Sequence, residues 1–246
     1  MARKPLVDIF IPCFIDQLLP ETGMNMVKVL KRVGCEVRYN PNQTCCGQPA
    51  YNAGFYNESL EIANKFLDDF ISEESNYVVS PSASCVGHVR GACAEMFVTS
   101  PRFINYRGLE KKTFEFTEFL TKVLDIEKIP GAKLDAKITY HDSCSALREC
   151  KIAAGPRALL HYVEGLELIE MAETSTCCGF GGTFAVKFDA ISVAMAQQKV
   201  ENALATGASV IVSTDSSCLM HLDAYIKKNK IDLKVMHIAD VLASGW

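Results

Sequence analysis

The sequence predicts an α/β protein with two pseudo-symmetric, Rossmann-like repeats, each built on a parallel sheet. The first observation is a duplication, because the segment Thr-Cys-Cys-Gly occurs at residues 44–47 and again at residues 176–179. The second is that short apolar runs alternate with amphipathic stretches, which is typical of parallel strands joined by helices. We therefore expect residues 1–127 to form the first repeat and residues 128–246 to form the second.

Eight of the eleven cysteines keep their spacing in both copies of the repeat. Cys13 lies 32 residues before Cys45, and Cys144 lies 33 residues before Cys177. After each doublet the next cysteine of the pattern follows at a gap of 39 or 40 residues, with a histidine three residues beyond it. The eight cysteines in register are Cys13, Cys45, Cys46, Cys85, Cys144, Cys177, Cys178 and Cys218.

Three short apolar runs predict the strands of the first half. Residues 6–12 end at Pro12, directly before Cys13, and residues 35–39 precede the loop that carries the first doublet. Residues 77–80 end at Pro81. Because proline and polar loop residues stop a strand, each of these strands is expected to end close to a cysteine.

Helices are predicted in the first half where apolar residues recur at helical spacing. One spans residues 22–34 and ends on a glycine, and another runs from about Glu58 to Ser75. Residues 113–124 are interpreted as a strand end running into a helix. Residues 125–137 contain a Pro-Gly pair and several charges, so they are interpreted as a linker between the halves.

The second half repeats this order of elements. Strands are predicted at residues 137–140, 166–171 and 209–213, with helices at residues 156–163 and 188–206 between them. The closing segment of the chain echoes the strand-to-helix stretch that ends the first half. Even the last elements of each half are therefore expected to be duplicated.

The predicted topology places the cysteines together. In a parallel sheet the loops at the carboxyl ends of the strands meet at one edge, where ligands normally bind. The four cysteines of each half fall in such loops, so their sulfurs are expected to converge on the edge of the sheet of that half. Helices that begin nearby favour the thiolate form, because their amino-terminal N–H groups and dipoles stabilise negative charge.

Converging thiolates indicate a metal site. Soft sulfur ligands select zinc, copper(I) or iron–sulfur clusters. Structural zinc sites commonly use cysteine pairs two to four residues apart, and the pattern of eight lacks them. Two adjacent cysteines suit a cluster, which offers a different iron atom to each, better than one small ion. We expect one or two iron–sulfur clusters per chain, with zinc as the less favoured alternative and a strained disulfide between the adjacent cysteines as a third.

Four further residues recur beside the cysteines. Gly47 and Gly179 follow the doublets and allow a tight turn that brings the backbone close to a bulky ligand. His88 and His221 occupy matching positions and could be ligands, donors to sulfide, proton carriers, or simply capping and packing residues. His141, just before Cys144, could orient the cysteine loop or belong to a plain turn.

Composition excludes several classes of function. The chain has 25 basic and 29 acidic residues, and their interspersed pattern gives no basic stripe for nucleic acid. No segment approaches the roughly 18 to 20 apolar residues of a membrane span. Eleven cysteines without a recognisable secretion signal favour metal or redox chemistry in the cytoplasm over a disulfide framework.

The duplicated cysteine pattern resembles the cysteine-rich CCG domain, which occurs in heterodisulfide reductase and in the iron–sulfur subunit of glycolate oxidase. The resemblance covers essentially the whole chain. The fullest CCG pattern ends each repeat in C-x2-C, whereas here Ser82 and Asp215 stand at the first cysteine of that pair. Each half therefore keeps four cysteines, where the CCG protein of heterodisulfide reductase has five.

A short chain of two such repeats without a ferredoxin-like segment is most similar to the lactate utilization protein A family. The resemblance implies an electron-transfer subunit with clusters of the 4Fe-4S type, acting with other iron–sulfur subunits in the cytoplasmic oxidation of L-lactate to pyruvate. It also leaves open a thiol/disulfide redox role like that of heterodisulfide reductase. A zinc-stabilised scaffold without catalysis is the third hypothesis. The sequence itself assigns no catalytic residue and no lactate-binding residue.

Overall fold

A computed structural model describes residues 4–71 and 77–246. Over these ranges the chain forms two four-stranded sheets, with all strands parallel and in the orders β2-β1-β3-β4 and β6-β5-β7-β8. The two orders are equivalent, since each begins on the second strand of its half and ends on the fourth. The predicted α/β fold with two Rossmann-like repeats is confirmed.

The elements of the first half alternate between strand and helix. In chain order they are β1 (Leu6–Ile9), α1 (Cys13–Leu18), α2 (Pro20–Arg32), β2 (Glu36–Tyr39), α3 (Gln48–Ala53), α4 (Tyr56–Phe70), β3 (Tyr77–Ser80), α5 (Ala83–Arg90), α6 (Ala92–Phe97), α7 (Phe103–Lys112), β4 (Thr113–Glu115) and α8 (Phe116–Glu118), followed by a π-helical turn at Phe119–Val123.

The second half repeats the strand order with fewer helices in the described chain. Its elements are β5 (Lys133–Tyr140), α9 (Cys144–Arg148), α10 (Ala154–His161), β6 (Glu164–Leu168), α11 (Thr183–Lys187), α12 (Asp189–Leu204), β7 (Val210–Ser213), α13 (Ser216–Lys228), β8 (Lys234–His237) and α14 (Ile238–Leu242).

The predicted amphipathic helices are present with shifted ends. Helix α2 begins at Pro20, two residues before the predicted start, because proline is well suited to a first helical turn. Helix α4 begins at Tyr56 and ends at Phe70, with Ile71 already in an extended conformation. The predicted continuation of this helix to Ser75 includes residues 72–75, which lie outside the described residues.

The predicted linker at residues 125–137 is wrong in its second part. Strand β5 begins at Lys133, where it pairs with Glu164 of strand β6, and then runs to Tyr140. Its first five residues alternate between exposed and half-buried positions, so the segment lacks the continuous apolar run by which the other strands were predicted. The second predicted strand of this half, residues 166–171, also lies earlier in the chain, at Glu164–Leu168.

The two halves share one hydrophobic core. It includes residues of β1 and α2 from the first half and of β5, α10 and α14 from the second. Helix α2 packs against α14, and helix α8 packs against α10, so the last helix of each half lies on the first long helix of the other. Thr22 and Asn25 on α2 donate hydrogen bonds of 2.9 Å to the Asp240 carboxylate on α14. The halves are therefore held together by apolar and polar contacts, while the division at residue 127 stays a prediction.

Candidate metal centre

The first cysteine of each site begins a helix at the end of a central strand. Cys13 opens α1 directly after Pro12, and Cys144 opens α9 after Ser143. The Ser143 hydroxyl caps α9 by accepting a hydrogen bond from the Ala146 N–H at 3.1 Å. Both cysteines are half-buried in the first turn of a helix, where backbone N–H groups have no intrahelical partner.

The cysteine doublets lie in loops that turn at glycine. Gly47 and Gly179 have φ values of 92° and 94°, which belong to the left-handed region that favours glycine. Each turn directs the glycine N–H at the first sulfur of the doublet, at 3.5 Å from Cys45 and 3.4 Å from Cys177. Because the same turn recurs in both halves, the repeated sequence Thr-Cys-Cys-Gly produces a repeated geometry.

A serine on the second helix after each doublet supports the glycine turn. Ser59 on α4 and Ser192 on α12 donate hydrogen bonds to the Gly47 and Gly179 carbonyls, at 3.2 and 2.8 Å. A Cβ on Gly179 would lie 2.7 Å from the Ser192 carbonyl oxygen. Backbone packs directly on backbone here, so the turn is fixed by close contact as well as by conformation.

The last cysteine of each site lies in a capped first turn. Ser82 caps α5 and accepts a hydrogen bond from the Cys85 N–H at 3.4 Å. Asp215 caps α13, and its carboxylate also accepts from the Ser84 N–H of the other half at 2.8 Å. The two positions that depart from the C-x2-C pattern are therefore occupied by helix caps, and the Asp215 carboxylate ties the two sites together.

Both sets of four cysteines line the same cavity of about 600 Å³. The sequence predicts one converging set at each sheet edge, and the structure additionally turns both edges towards a common cleft between the halves. Phe14 of the first half lies 5.9 Å from Phe180 of the second, measured between ring centroids, and both line the cavity. We call the first set, Cys13, Cys45, Cys46 and Cys85, site 1, and the second, Cys144, Cys177, Cys178 and Cys218, site 2.

The sulfurs within a site change one another's acidity. The Cys13 and Cys45 sulfurs are 3.8 Å apart, and this hydrogen bond is the main reason why the pKa of Cys45 is well below its usual range. Hydrogen bonds from Cys144 and Cys178 lower the pKa of Cys177 in the same way. The donating thiol of Cys13 has a raised pKa. Each site therefore places a thiolate, the form that binds metal, at the first cysteine of its doublet.

The family of the chain follows from sequence comparison. The cysteine-rich CCG domain family matches residues 7–90 and residues 138–223. The lactate utilization protein A of Exiguobacterium sp. is 42% identical over 242 residues, which cover 98% of this chain and 98% of the relative. The chain belongs to the lactate utilization protein A family of CCG proteins. The member from Bacillus subtilis is 39% identical over 239 residues, covering 97% of this chain and 99% of the relative.

A solved structure supports the fold of this CCG protein. The crystal structure of a hypothetical protein from Helicobacter pylori superposes with a TM-score of 0.67 at 10% identity. The match covers 99% of this chain and 49% of the other, so the CCG protein spans about half the length of that structure. At this identity the likeness concerns the fold alone.

The two matching histidines have different surroundings. His88 is buried, its ring lies 5.4 Å from that of Tyr51, and burial lowers its pKa to about 4. Its Nε2 atom has no hydrogen-bond partner among the described residues. The His221 ring is partly exposed, and its Nε2 lies 3.2 Å from the Ser192 hydroxyl that holds the Gly179 turn. His221 therefore supports the doublet loop of site 2, whereas the buried and neutral His88 packs beside site 1.

Sequence reasoning missed two charged groups around site 2. Arg157 forms a two-pronged ion pair with Asp142, at 2.9 and 2.8 Å, just before Cys144. Lys199 is 1% exposed, and its ammonium group donates to the carbonyls of Glu173 and Thr174, at the start of the loop that leads to the second doublet. A long side chain on a predicted amphipathic helix gives no signal of this kind, because only the fold shows that Lys199 points inward.

Within residues 4–71 and 77–246, no helix combines the length and the apolar character that a bilayer span requires.

Proposed function

We propose that this CCG protein is an iron–sulfur redox subunit, with clusters of the 4Fe-4S type at site 1 and site 2. The observation that carries the proposal is the duplicated set of four cysteines on one cavity. Four sulfurs per site match the ligand number of such a cluster. When bound, iron–sulfur clusters supply one-electron redox chemistry.

The spacing of the sulfurs supports a cluster over a single zinc ion. Four sulfurs around one zinc, each at about 2.3 Å, would all lie about 3.8 Å apart. Residues 4–71 and 77–246 contain one group of three candidate ligand atoms that all lie within 4.8 Å of one another. This group consists of the sulfurs of Cys178 and Cys218 and a ring nitrogen of His141. The Cys13 and Cys45 sulfurs lie 3.8 Å apart, but no three sulfurs of the described residues meet the 4.8 Å limit together, so neither site forms a compact four-sulfur zinc cage.

The residues of the two sites perform complementary tasks in this proposal. Cys45 and Cys177 provide thiolates before metal arrives, because neighbouring thiols and the glycine N–H groups stabilise their charge. The buried Cys46 and Cys178 extend each site into an apolar core that keeps water away. The Ser82 and Asp215 caps fix the helices that carry the last cysteine of each site.

The relatives supply the substrate class. Proteins that carry the name lactate utilization protein A are similar over nearly the full chain, which favours a role in lactate use. We infer that the chain handles electrons from the oxidation of L-lactate to pyruvate, which releases two electrons and two protons per molecule. Other iron–sulfur subunits of the same cytoplasmic system would bind the lactate and exchange electrons with this chain.

A second candidate function follows from the shared cavity. A disulfide entering this space would face cysteine sites on two sides, and its reduction to two thiols would consume two electrons and two protons. The isolated full chain, reconstituted with iron and sulfide and supplied with dithionite, would then reduce disulfides such as those of coenzyme-derived thiols. Inertness in that assay leaves electron transfer as the function of the cavity.

Metal analysis tests the leading proposal. The full chain is purified without oxygen after co-expression with its operon neighbours, and iron, zinc and acid-labile sulfide are measured per chain. We expect iron and sulfide together with visible charge-transfer absorption that bleaches when the complete system is given lactate. Stoichiometric zinc without sulfide would instead support the zinc-stabilised scaffold and contradict a redox role.

A further inference from the structure

The two sites differ at one matching position beside their cysteines. Phe10 lies three residues before Cys13, and His141 lies three residues before Cys144. Their backbone positions are equivalent, since the Phe10 N–H donates to Val79 at 2.9 Å and the His141 N–H donates to Val212 at 2.8 Å. Both side chains have an exposed fraction of 0%. The duplication therefore places a buried apolar ring at site 1 and a buried polar ring at site 2.

The neighbours of these two rings differ in the same sense. At site 1, Phe10 packs edge to face against Phe66 of α4, with ring centroids 4.9 Å apart. Phe66 lies seven residues after Ser59, and the residue seven positions after the equivalent Ser192 is Lys199. An aromatic pair at site 1 is thus matched by His141 and a buried lysine at site 2. Paired polar replacements of this kind in a core are costly unless they have partners.

The ring of His141 lacks a hydrogen-bond partner in the part of the chain that the structure describes. Both of its ring nitrogens are buried and lack hydrogen bonds among the described residues. A buried polar group without a partner costs on the order of 1–3 kcal/mol. A ring nitrogen of His141 and the sulfurs of Cys178 and Cys218 all lie within 4.8 Å of one another. The unpartnered atoms therefore lie directly beside two cysteines of site 2.

This spacing lets His141 reach a metal that the two sulfurs hold. Ligand atoms of one tetrahedral metal, with metal–nitrogen bonds of about 2.0–2.1 Å and metal–sulfur bonds of about 2.3 Å, lie about 3.6–3.8 Å apart. Three atoms that lie within 4.8 Å of one another therefore need to approach by at most about 1 Å to share one metal. Imidazole is a suitable ligand for zinc and iron alike.

We propose that His141 is a ligand of the metal or cluster held at site 2, beside Cys178 and Cys218, and that site 1 binds through sulfur alone. The inference rests on the proposed metal-binding role of the cysteine sets, and it adds that the two sites are chemically unequal. Site 2 has a nitrogen donor within 4.8 Å of two sulfurs and a buried cation nearby, whereas the buried His88 of site 1 belongs to no such group among the described residues. Phe10 and Phe66 give site 1 apolar surroundings.

Pulsed EPR with 15N-labelled histidine tests this assignment in the full chain reconstituted with iron and sulfide. Substituting Cys45→Ala and Cys46→Ala leaves site 2 as the source of the signal, and Cys177→Ala with Cys178→Ala leaves site 1. We expect strong coupling to histidine nitrogen in the first variant and its absence in the second. If the site 2 signal lacks this coupling, the assignment is overturned. The result does not depend on a substitution at His141, so it cannot be attributed to misfolding of a His141 variant.

Substitution of the histidine identifies the coupled residue. His141→Phe copies the residue at the matching position of site 1, and the exposed His161→Gln is the control. We expect the nitrogen coupling to disappear with His141→Phe and to persist with His161→Gln. Coupling that survives His141→Phe would assign the nitrogen elsewhere and refute the proposal.

The metal content separates this inference from the proposed function. Iron and acid-labile sulfide are measured on each sample, and their absence would contradict the iron–sulfur role alone. If zinc is bound instead, X-ray absorption at the zinc edge replaces EPR. A nitrogen neighbour at about 2.0–2.1 Å that is lost in His141→Phe would support the ligand assignment. A zinc environment of sulfur only would overturn it.

Discussion

The glycine of the second doublet gives the sharpest prediction about how the sites are built. Positive φ values of 92°, 94° and 71° occur at Gly47, Gly179 and Gly207. Alanine at any of these positions therefore costs on the order of 1–2 kcal/mol in backbone energy. A Cβ at Gly207 would meet nothing within 4 Å, whereas at Gly47 it would lie 3.3 Å from the movable side chains of Ser59 and Ile62.

At Gly179 the added Cβ meets the backbone. It would lie 2.7 Å from the Ser192 carbonyl oxygen and 2.9 Å from the Met195 Cβ, neither of which can rotate away. Overpacking of this kind adds about 1–3 kcal/mol, so the total loss of unfolding free energy is about 2–5 kcal/mol. The Cys177 sulfur would also lose its contact with the Gly179 N–H.

Urea unfolding of the metal-free full chain measures the series, and metal content is measured separately after reconstitution. We expect the free energy of unfolding to fall least for Gly207→Ala, more for Gly47→Ala and most for Gly179→Ala, which should also lose metal selectively from site 2. Equal losses for Gly179→Ala and the Gly207→Ala control would refute the claim that backbone contact fixes the doublet turn.

Three further predictions concern capping, pH and ligand identity. Asp215→Ala is expected to lower the unfolding free energy by about 2–3 kcal/mol, because it removes a helix cap and leaves the Ser84 N–H unpaired. Asp215→Asn should lower it less. Equal effects of the two variants in urea unfolding would contradict a stabilising hydrogen bond between Asp215 and Ser84. Burial raises the pKa of Glu115 to about 7, so its folded state holds a proton more tightly than the unfolded chain and stability falls as pH rises from about 4.5 through 7. Glu115→Gln should flatten that decline in unfolding curves measured across this range, and an unchanged slope would rule out this carboxyl as its source. Cys177→Ser should remove iron from site 2. Cys150→Ser should retain that iron, because the Cys150 thiol donates a hydrogen bond to the Ala83 carbonyl and is not one of the proposed ligands. Iron loss in both variants would undermine the ligand assignment.

Most strands and the helices α2, α4, α10 and α12 were predictable, because each has a local pattern in the sequence. The repeat fixed the order of elements in both halves, and Pro12 marked the strand end before Cys13. The start of β5 at Lys133 was missed, since its polar residues alternate without a continuous apolar run. Pairing with β6 extends this strand, and such pairing depends on a distant segment that local patterns do not reveal.

The site was predictable only in part. The grouping of four cysteines per half follows from parallel topology, as each cysteine lies near the carboxyl end of a strand or the helix after it. The shared cavity does not follow, because it depends on how helix α2 packs on α14 and α8 on α10. The hydrogen bond from the Ser84 N–H to the Asp215 carboxylate likewise joins the two halves, between residues 131 positions apart in sequence.

Internal duplication with local divergence explains the unequal sites. The glycine turns, their serine partners and the capped helices recur almost unchanged in both halves. The side chains behind the cysteines have diverged, with Phe10 in one half and His141 in the other. A common scaffold thus presents two cysteine sets whose surroundings differ in polarity.

The magnetic interaction between the two sites tests the central claim most directly. EPR spectra are recorded for the fully reduced, reconstituted chain and for the two variants that each retain one site. Since both cysteine sets line one cavity of about 600 Å³, we expect the spectrum of the intact chain to be broadened relative to the sum of the two single-site spectra. A spectrum equal to that sum, or the absence of any cluster signal from either site, would contradict two iron–sulfur clusters facing a common cleft.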